Sequence, residues 1–408
     1  MKSLRERLAQ FDRPPRRTAV AGVVRGNEPL RALLDRGARW VGSAPDGYLR
    51  MEADVDGLAP PHQVVGARAC RRLAAVEPLG DHWVVLDTET TGLESGTGTF
   101  VFLIGLLHWS PEGARRVQLF LPEPAGEESL LSALVEELAD ADLIVTYNGR
   151  SFDVPRLRTR LRLQRLDADV LERPHLDLVH PARRILRTWL AGVRQVDLEY
   201  HLLGLDRDDD LPGSHAPEVY RTLLADGLDA GLGEVVDHNA RDVDRLARLA
   251  TWFARCVGDD PPEGLPGSAR MAVARLLAHR GESDEARVHV CRLVEDSDRA
   301  VALAARRMLA HLLRRQRRFA EAAREWETIV AAAPLDVDAH VEWAKLCEHR
   351  LGDLERARDV VQRALRAAID RRRLDPSAPA RRADLLHRLQ RIERRRGRGG
   401  GIDGVGAH

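Results

Sequence analysis

The sequence predicts an α/β fold: a mixed sheet flanked by helices, followed by an all-α helical array. Three observations carry this. Strand-like and helix-like apolar patterns alternate over residues 81–257. A cluster of breakers, Gly258, Pro261, Pro262, Gly264, Pro266 and Gly267, then marks a linker over 258–267. Beyond it, residues 268–370 carry helical periodicity with small residues at a recurring spacing. In this division residues 1–80 are an accessory N-terminal segment, and 371–408 form an Arg-rich helix and a flexible Gly-rich tail.

Length and composition bound the reading. A chain of 408 residues accommodates two or three domains, and 44% apolar residues supply an ordinary globular core. The formal net charge is zero, so any basic surface must be local. Lysine occurs only at Lys2 and Lys345, and the other cations are Arg. Cys70, Cys256, Cys291 and Cys347 lie far apart with no CxxC spacing, which argues against structural zinc and a disulfide framework. The opening MKSLRERLAQF reads as a short amphipathic helix without a signal-type apolar core. No apolar run approaches the about 18 residues of a membrane span. A cytoplasmic setting without membrane association is the expectation.

Within residues 1–80, Pro14, Pro15, Arg16 and Arg17 read as a flexible arm, Tyr48 to Val55 as an edge strand, and Gly66 to Ala75 as a helix. From Trp83 to Glu89 runs the first strand of the α/β domain. Phe100–Trp109 and Val117–Leu121 complete a meander, because their connections are too short for helical crossovers. Glu127–Ala139 is helical, with Leu130, Leu131, Leu134, Val135 and Leu138 on one face. Asp142–Tyr147 is a fourth strand closed by Asn148-Gly149. Three strands, a helix and a strand beside the first give the order of a ribonuclease H-like sheet. Helices are expected at about 155–163, 178–189, 195–203, 216–225 and 231–256.

The first strand ends on chemistry. Side chains on a strand alternate faces, so Asp87 and Glu89 aim the same way. Two carboxylates directed at one point repel unless a cation lies between them. Asp153 follows the fourth strand, just ahead of a helix with Pro155 in its first turn; it also suits an N-cap. Asp242 lies on or beside the packed stripe Asn239, Val243, Leu246, Leu249, Ala250 and Phe253. His238, four residues earlier, projects from the same side and could pair with Asp242 locally. Four carboxylates, Asp87, Glu89, Asp153 and Asp242, can hold two Mg²⁺ or Mn²⁺ ions roughly 3.5–4 Å apart, one activating water and the other stabilising a leaving 3′-oxygen. Oxygen-only ligands suit these hard cations. Imidazole titrates near neutrality, so His238 could take the proton of the attacking water.

Asp87-x-Glu89, Asn148-x-x-x-Phe152-Asp153 and His238-x-x-x-Asp242 together resemble the three exonuclease motifs of the DEDD superfamily. More narrowly, DTETTGL, TYNGRSFDVPRLRTR, HLDLVHPARR and HNARDVDRLA resemble the YprB-type ribonuclease H-like domain, with Leu211-Pro212-Gly213, Pro217 and Tyr220 fitting as well. The resemblance spans about 80–257. It implies a ribonuclease H fold, two divalent metals and 3′→5′ exonuclease activity on a single-stranded nucleic-acid end. One departure concerns the last motif, which usually has Tyr four residues before Asp or His five before. Here His238 is four before and Asp237 five before, so the general base stays open, with His238 favoured by geometry. Asp177 is an outer-shell or substrate residue, or a cap for the next helix. Thr90 and Asn148 could touch the terminal nucleotide or make ordinary turn hydrogen bonds.

The helical array resembles tetratricopeptide repeats. One unit from Leu303 to Asp336 carries Ala310, Phe319, Ala322, Trp326 and Pro334. The next, from Val337, places Ala344, Gly352, Ala357 and Ala364 similarly with one inserted residue, and a weaker unit precedes both with Ala274, Gly281 and Ala286. About three units suffice for a stacked core. Such repeats could bind a protein partner or guide nucleic acid. Arg371–Arg373, Arg381, Arg382, Arg388, Arg391 and Arg394–Arg396 could grip phosphates, but a solvated helix is the expectation because no aromatic residues interleave. The leading function is therefore a metal-dependent 3′→5′ exonuclease. The alternative is a non-catalytic adaptor that binds nucleic-acid ends and acts through its repeats.

Overall fold

The protein is seen here as a computed structural model that describes residues 30–77, 79–92, 97–110, 113–207, 215–227, 230–370 and 378–399. The expected opening helix, the arm at Pro14–Arg17, part of the loop from Ser95, Leu211-Pro212-Gly213, Arg371–Arg373 and the tail from Gly400 lie outside them. The chain divides into two compact units, the first ending at Glu263 and the second beginning at Gly264.

The first unit is a seven-stranded mixed sheet with flanking helices. Its strands are β1 (Arg39–Val41), β2 (Tyr48–Asp54), β3 (Trp83–Thr90), β4 (Val101–Ser110), β5 (Gly113–Phe120), β6 (Leu143–Thr146) and β7 (His175–Asp177). They lie in the order β1-β2-β5-β4-β3-β6-β7. The pairs from β1 to β3 are antiparallel, and β3-β6 and β6-β7 are parallel. Only two residues separate β4 from β5, whereas Glu127–Leu138 supplies the helical crossover that leads to β6, the parallel neighbour of β3. The central β3 begins with four consecutive buried residues, Trp83 to Leu86, because both sheet faces are covered there.

Two local expectations change. Tyr48–Asp54 is not an edge strand: β1 pairs it on one side and β5 on the other, and Arg39–Val41 takes the edge. Alternating polarity reports a half-solvated face; it does not report whether both strand edges are paired. His175–Asp177 is a strand that its three residues were too few to signal. Leu30, Leu33, Tyr48 and Leu49 belong to the same apolar core as the central strands.

A half-buried ionic cluster ties the Glu127–Leu138 helix to the sheet. Glu137 accepts from Arg50 of β2, lies 2.8 Å from His108 Nε2 of β4 and 3.2 Å from Arg115 of β5. Burial alone would raise the Glu137 carboxyl, but the His108 and Arg50 contacts outweigh it and hold it down at about 2.

The second unit is helical. Its helix pairs are Gly267–His279 with Ser283–Cys291, Arg299–Arg315 with Phe319–Ala332, and Val337–Leu346 with Leu354–Asp370, followed by Ala378–Gly399. Ala310 and Ala344 are 34 residues apart, Ala322 and Ala357 are 35. The extra residue is absorbed in a π-turn at Cys347–Leu351 that continues the Val337–Leu346 helix. Ala310, Ala322, Ala344, Ala357 and Ala364 are fully buried, as close helix approach requires. The last helix is docked, not solvated: Leu385 and Ile392 are buried, and Arg388 and Arg391 bind the fully buried Glu348. Periodicity in an Arg-rich helix marks its apolar face but does not reveal that a buried acid awaits its arginines. No helix among the described residues is long and apolar enough to cross a membrane.

Glu137→Ala should cost the first unit about 3 kcal/mol, since it leaves the buried His108 and the half-buried Arg50 without their acid. The depressed Glu137 carboxyl stabilises the fold above its unfolded value of 4.5, and that contribution is lost as pH falls toward about 2. Calorimetric unfolding against pH should therefore show a flatter acid limb for the variant.

Candidate active site

Asp87 and Glu89 occupy the C-terminal half of β3, past the hydrophobic run that anchors the strand. The β3-β4 register shifts between Glu89 and Thr90, so pairing is regular up to the acidic pair and irregular just beyond it. Asp87 stands opposite Gly105 of β4, and Gly105 stands opposite Gln118 of β5. Above this row sits Asn239, from the helix Leu232–Cys256. Gln118 Nε2 donates to Asn239 Oδ1 at 2.9 Å, and Asn239 Nδ2 donates to Asp87 Oδ2 at 2.9 Å. Glycine is required between them: a Cβ on Gly105 would fall 2.3 Å from Asn239 Oδ1.

Asp153 arrives from the next parallel strand. After β6, Asn148 adopts φ +63° and Gly149 approaches Thr146 too closely for a side chain, giving a tight turn into the helix Asp153–Leu163. Asp177, at the end of β7, accepts from the backbone N–H groups of Asn148 (2.7 Å), Arg150 (3.1 Å) and Val179 (3.2 Å). Asp177 thus holds the turn that delivers Asp153 and also accepts from the first N–H of the helix Val179–Leu186. Thr88 Oγ1 donates to Asp153 Oδ1. The helix itself is fixed by a buried ion pair, Arg160 with Glu127.

Asp242 completes the set from the helix Leu232–Cys256. Its Oδ2 lies 3.4 Å from His238 Nε2, and its Oδ1 accepts from Arg207 Nη2 at 2.5 Å. Arg207 also grips Glu199, which is fully buried and takes further donors from Arg245 and Gln195. Burial would raise the Glu199 carboxyl, but Arg207 and the other donors more than offset this and leave it below the ordinary range. Arg207 therefore carries a charge that two acids share.

The four carboxylates act on one another. Asp87 and Glu89 keep partial access to solvent, yet the surrounding protein desolvates them strongly. Burial, then Asp242, Asp153 and Glu89, push the Asp87 carboxyl well above its usual range, against the Asn239 hydrogen bond. Burial with Asp242 and Asp153 raises Glu89 to about 8. Burial raises Asp153 to about 6, partly opposed by Thr88 and the helix N-terminus. Asp242 is also raised by burial, with His238 and Arg207 opposing. Acids from β3 and two helices are thus held together against mutual repulsion.

This donor set suits a hard divalent cation, being all oxygen and desolvated, with Arg207 and His238 set against Asp242. Among the described residues, no three acidic, histidine or cysteine side chains are gathered tightly enough to clasp one ion as they stand. Three of the acids are held instead by their own partners: Asp87 by Asn239, Asp153 by Thr88, and Asp242 by Arg207 with His238.

Thr90 is buried and donates to Gly92 O at 2.9 Å. Asn148 is placed by its turn. Neither hydrogen-bonds to the four carboxylates, and Asp177 accepts from the backbone N–H groups of Asn148, Arg150 and Val179. Sequence reasoning passed over Asn239, Gln118, Gly105, Arg207 and Glu199 as site residues. For Asn239 a signal existed, an amide inside an apolar helical stripe. For Arg207 and Glu199 there was none, because Asp242 and Arg245, which tie them to the helix Leu232–Cys256, lie 35 and 46 residues away.

Known proteins share this fold and these segments. A model of the RNase H superfamily matches residues 84–254, and one for tetratricopeptide repeats matches 307–379. Protein YprB of Bacillus subtilis (strain 168) is 32% identical over 282 residues, which cover 68% of each chain. The chain belongs to the YprB family. Its RNase H-like domain and C-terminal repeats are those of a YprB homologue. A DNA polymerase of Methanocaldococcus jannaschii is 28% identical over 181 residues, covering 38% of this YprB-family chain and 10% of the polymerase. The solved family B DNA polymerase of Pyrobaculum calidifontis overlaps 63% of this chain and 36% of its own, with a TM-score of 0.36 and 15% identity.

Repulsion within the acidic group has a measurable consequence. A carboxyl raised in the folded state loses stability as pH rises through its folded value. In chelator, Glu89→Gln should therefore be more stable than the wild type, by on the order of 1 kcal/mol or more at pH 8. The advantage should vanish toward pH 4.5, the ordinary Glu value. Thermal unfolding against pH measures it.

Proposed function

We propose that this chain is a metal-dependent nuclease that removes nucleotides from the 3′ end of a single-stranded nucleic acid. The observation that supports it is the convergence of Asp87, Glu89, Asp153 and Asp242, four desolvated carboxylates whose repulsion a divalent cation would relieve. The RNase H-like fold and the distant polymerase likeness agree with a nuclease-type role. The same four residues would hold two Mg²⁺ or Mn²⁺ ions, which when bound would neutralise charge at the phosphate and activate water.

The remaining work falls to the chain's own residues. His238 would accept the proton from the attacking water through its imidazole, with Asp242 orienting the ring from 3.4 Å. Asn239 fixes the Asp87 carboxylate, and Asp177 fixes the turn that carries Asn148 and Asp153. Thr90 and Asn148, bordering this group, would contact the terminal nucleotide. The helical repeats would bind a protein partner or guide the strand. One observation favours the adaptor alternative: Arg207 already occupies a carboxylate oxygen of Asp242. Calorimetric titration with Mn²⁺ separates the two readings, since an adaptor need bind no ions.

With Mn²⁺, 5′-labelled strands should shorten progressively from the 3′ end, and a panel of DNA and RNA ends should identify the preferred sugar. Asp87→Ala and Asp153→Ala should each lower the rate by about 10³-fold or more while the fold persists. Intact metal binding without end shortening would sink the exonuclease reading; internal cuts in a circular strand would redirect it to an endonuclease.

His238→Ala should reduce kcat by about 10²–10⁴-fold with little change in metal affinity. A parallel loss of metal binding, seen by calorimetry, would place His238 in ion binding and not in proton transfer.

A further inference from the structure

In the second unit, a cavity of about 640 Å³ opens among four helices. Arg314, Arg315 and Arg317 reach it from the end of Arg299–Arg315 and the turn beyond. Lys345 and Arg350 come from Val337–Leu346 and its π-turn. Arg388 and Arg391 come from the docked C-terminal helix. No carboxylate is among the described residues that line it.

Two acids flank these seven cations. Glu342 pairs with Arg314 at 3.2 Å and Lys345 at 2.7 Å. Glu348, fully buried behind the wall, binds Arg388 at 3.0 Å and Arg391 at 2.7 Å, with Arg395 at 3.4 Å. Glu348 is a fastener: its burial with several arginines holds the C-terminal helix in place and orders the cationic wall. Arg314, Arg315, Arg317 and Arg350 are exposed. The chain as a whole is neutral, so this excess is a local concentration. Phe319 lines the same cavity, with the Arg350 guanidinium 5.3 Å from its ring centroid.

We propose that this cavity binds the phosphate backbone of a single-stranded nucleic acid. Guanidinium forks match phosphate oxygens geometrically. A phenyl ring paired with an arginine offers a face on which a base can stack. The choice of nucleic acid over other polyanions rests on the proposed nuclease activity, while the cationic site itself stands on this unit alone.

The test uses the full chain in EDTA, so binding is read without turnover. Fluorescence anisotropy follows a labelled strand of about 20 nucleotides across a salt series. Arg315→Glu/Arg350→Glu should weaken binding about tenfold or more and reduce the salt slope by about 1.4, the value for two phosphate contacts on a single strand. Both residues are exposed, so circular dichroism should be unchanged, and Arg315→Lys/Arg350→Lys should retain most of the affinity. Arg31→Glu/Arg324→Glu, an equal change of charge elsewhere, should leave binding within about twofold. The proposal is overturned if the first variant binds like the wild type, if the control loses as much, or if polyglutamate of equal charge competes as well as the strand. Cleavage of a tetranucleotide with Mn²⁺, measured separately, reports on the nuclease reading and is expected to be the same in all these proteins.

Discussion

Four carboxylates that repel one another set the terms for the first unit. Bringing such groups together out of water is unfavourable, and only a rigid frame or a bound cation can keep them there. Much of the surrounding structure acts as that frame. The Trp83–Leu86 run locks β3 between two neighbours. Gly105 leaves space for an amide that reaches Asp87. Asp177 ties the turn before Asp153, and Glu127 clamps Arg160 of the helix that Asp153 begins. Each of these is a stabilising interaction placed within a few residues of a destabilising one.

Arg207 gives the group a second character. It bridges Asp242 to Glu199, so the charge nearest one acid comes from the protein itself. Glu199 lies in a π-turn, Glu199–Leu203, and Cys347–Leu351 in the second unit is another. Such turns insert one residue without ending a helix and rotate the side chains beyond it. In the first unit the turn presents a buried acid to Arg207 and Arg245. In the second, Glu348 of the π-turn is the acid that the C-terminal arginines bind. The same local device serves a site in one unit and a docked helix in the other.

The repeats show how charge pattern and fold interact. Small residues at nearly regular spacing let helices stack, and their cationic residues then converge because helix ends meet on one side. The arginines of the last helix read as a solvated face when taken alone. Against Glu348 they become a wall, and with Arg314–Arg317 they enclose a cavity that no single segment could form.

The sequence by itself determined the classes of structure and singled out the carboxylates that the fold brings near one another. Apolar runs, breakers and periodicities are local properties, so they were legible as three meander strands, a crossover helix and paired helices. Asp87 and Glu89 share a face by strand geometry, and Asp242 stood out as an acid on a packed stripe. Tertiary structure alone decided the rest, because those relations join residues far apart in the chain. It turned Tyr48–Asp54 into an inner strand and revealed β7. It set Asn239 and Gln118 behind Asp87, and it brought Arg207 to Asp242. Hydrogen bonds across a sheet and ion pairs between helices depend on distances that no sequence interval encodes.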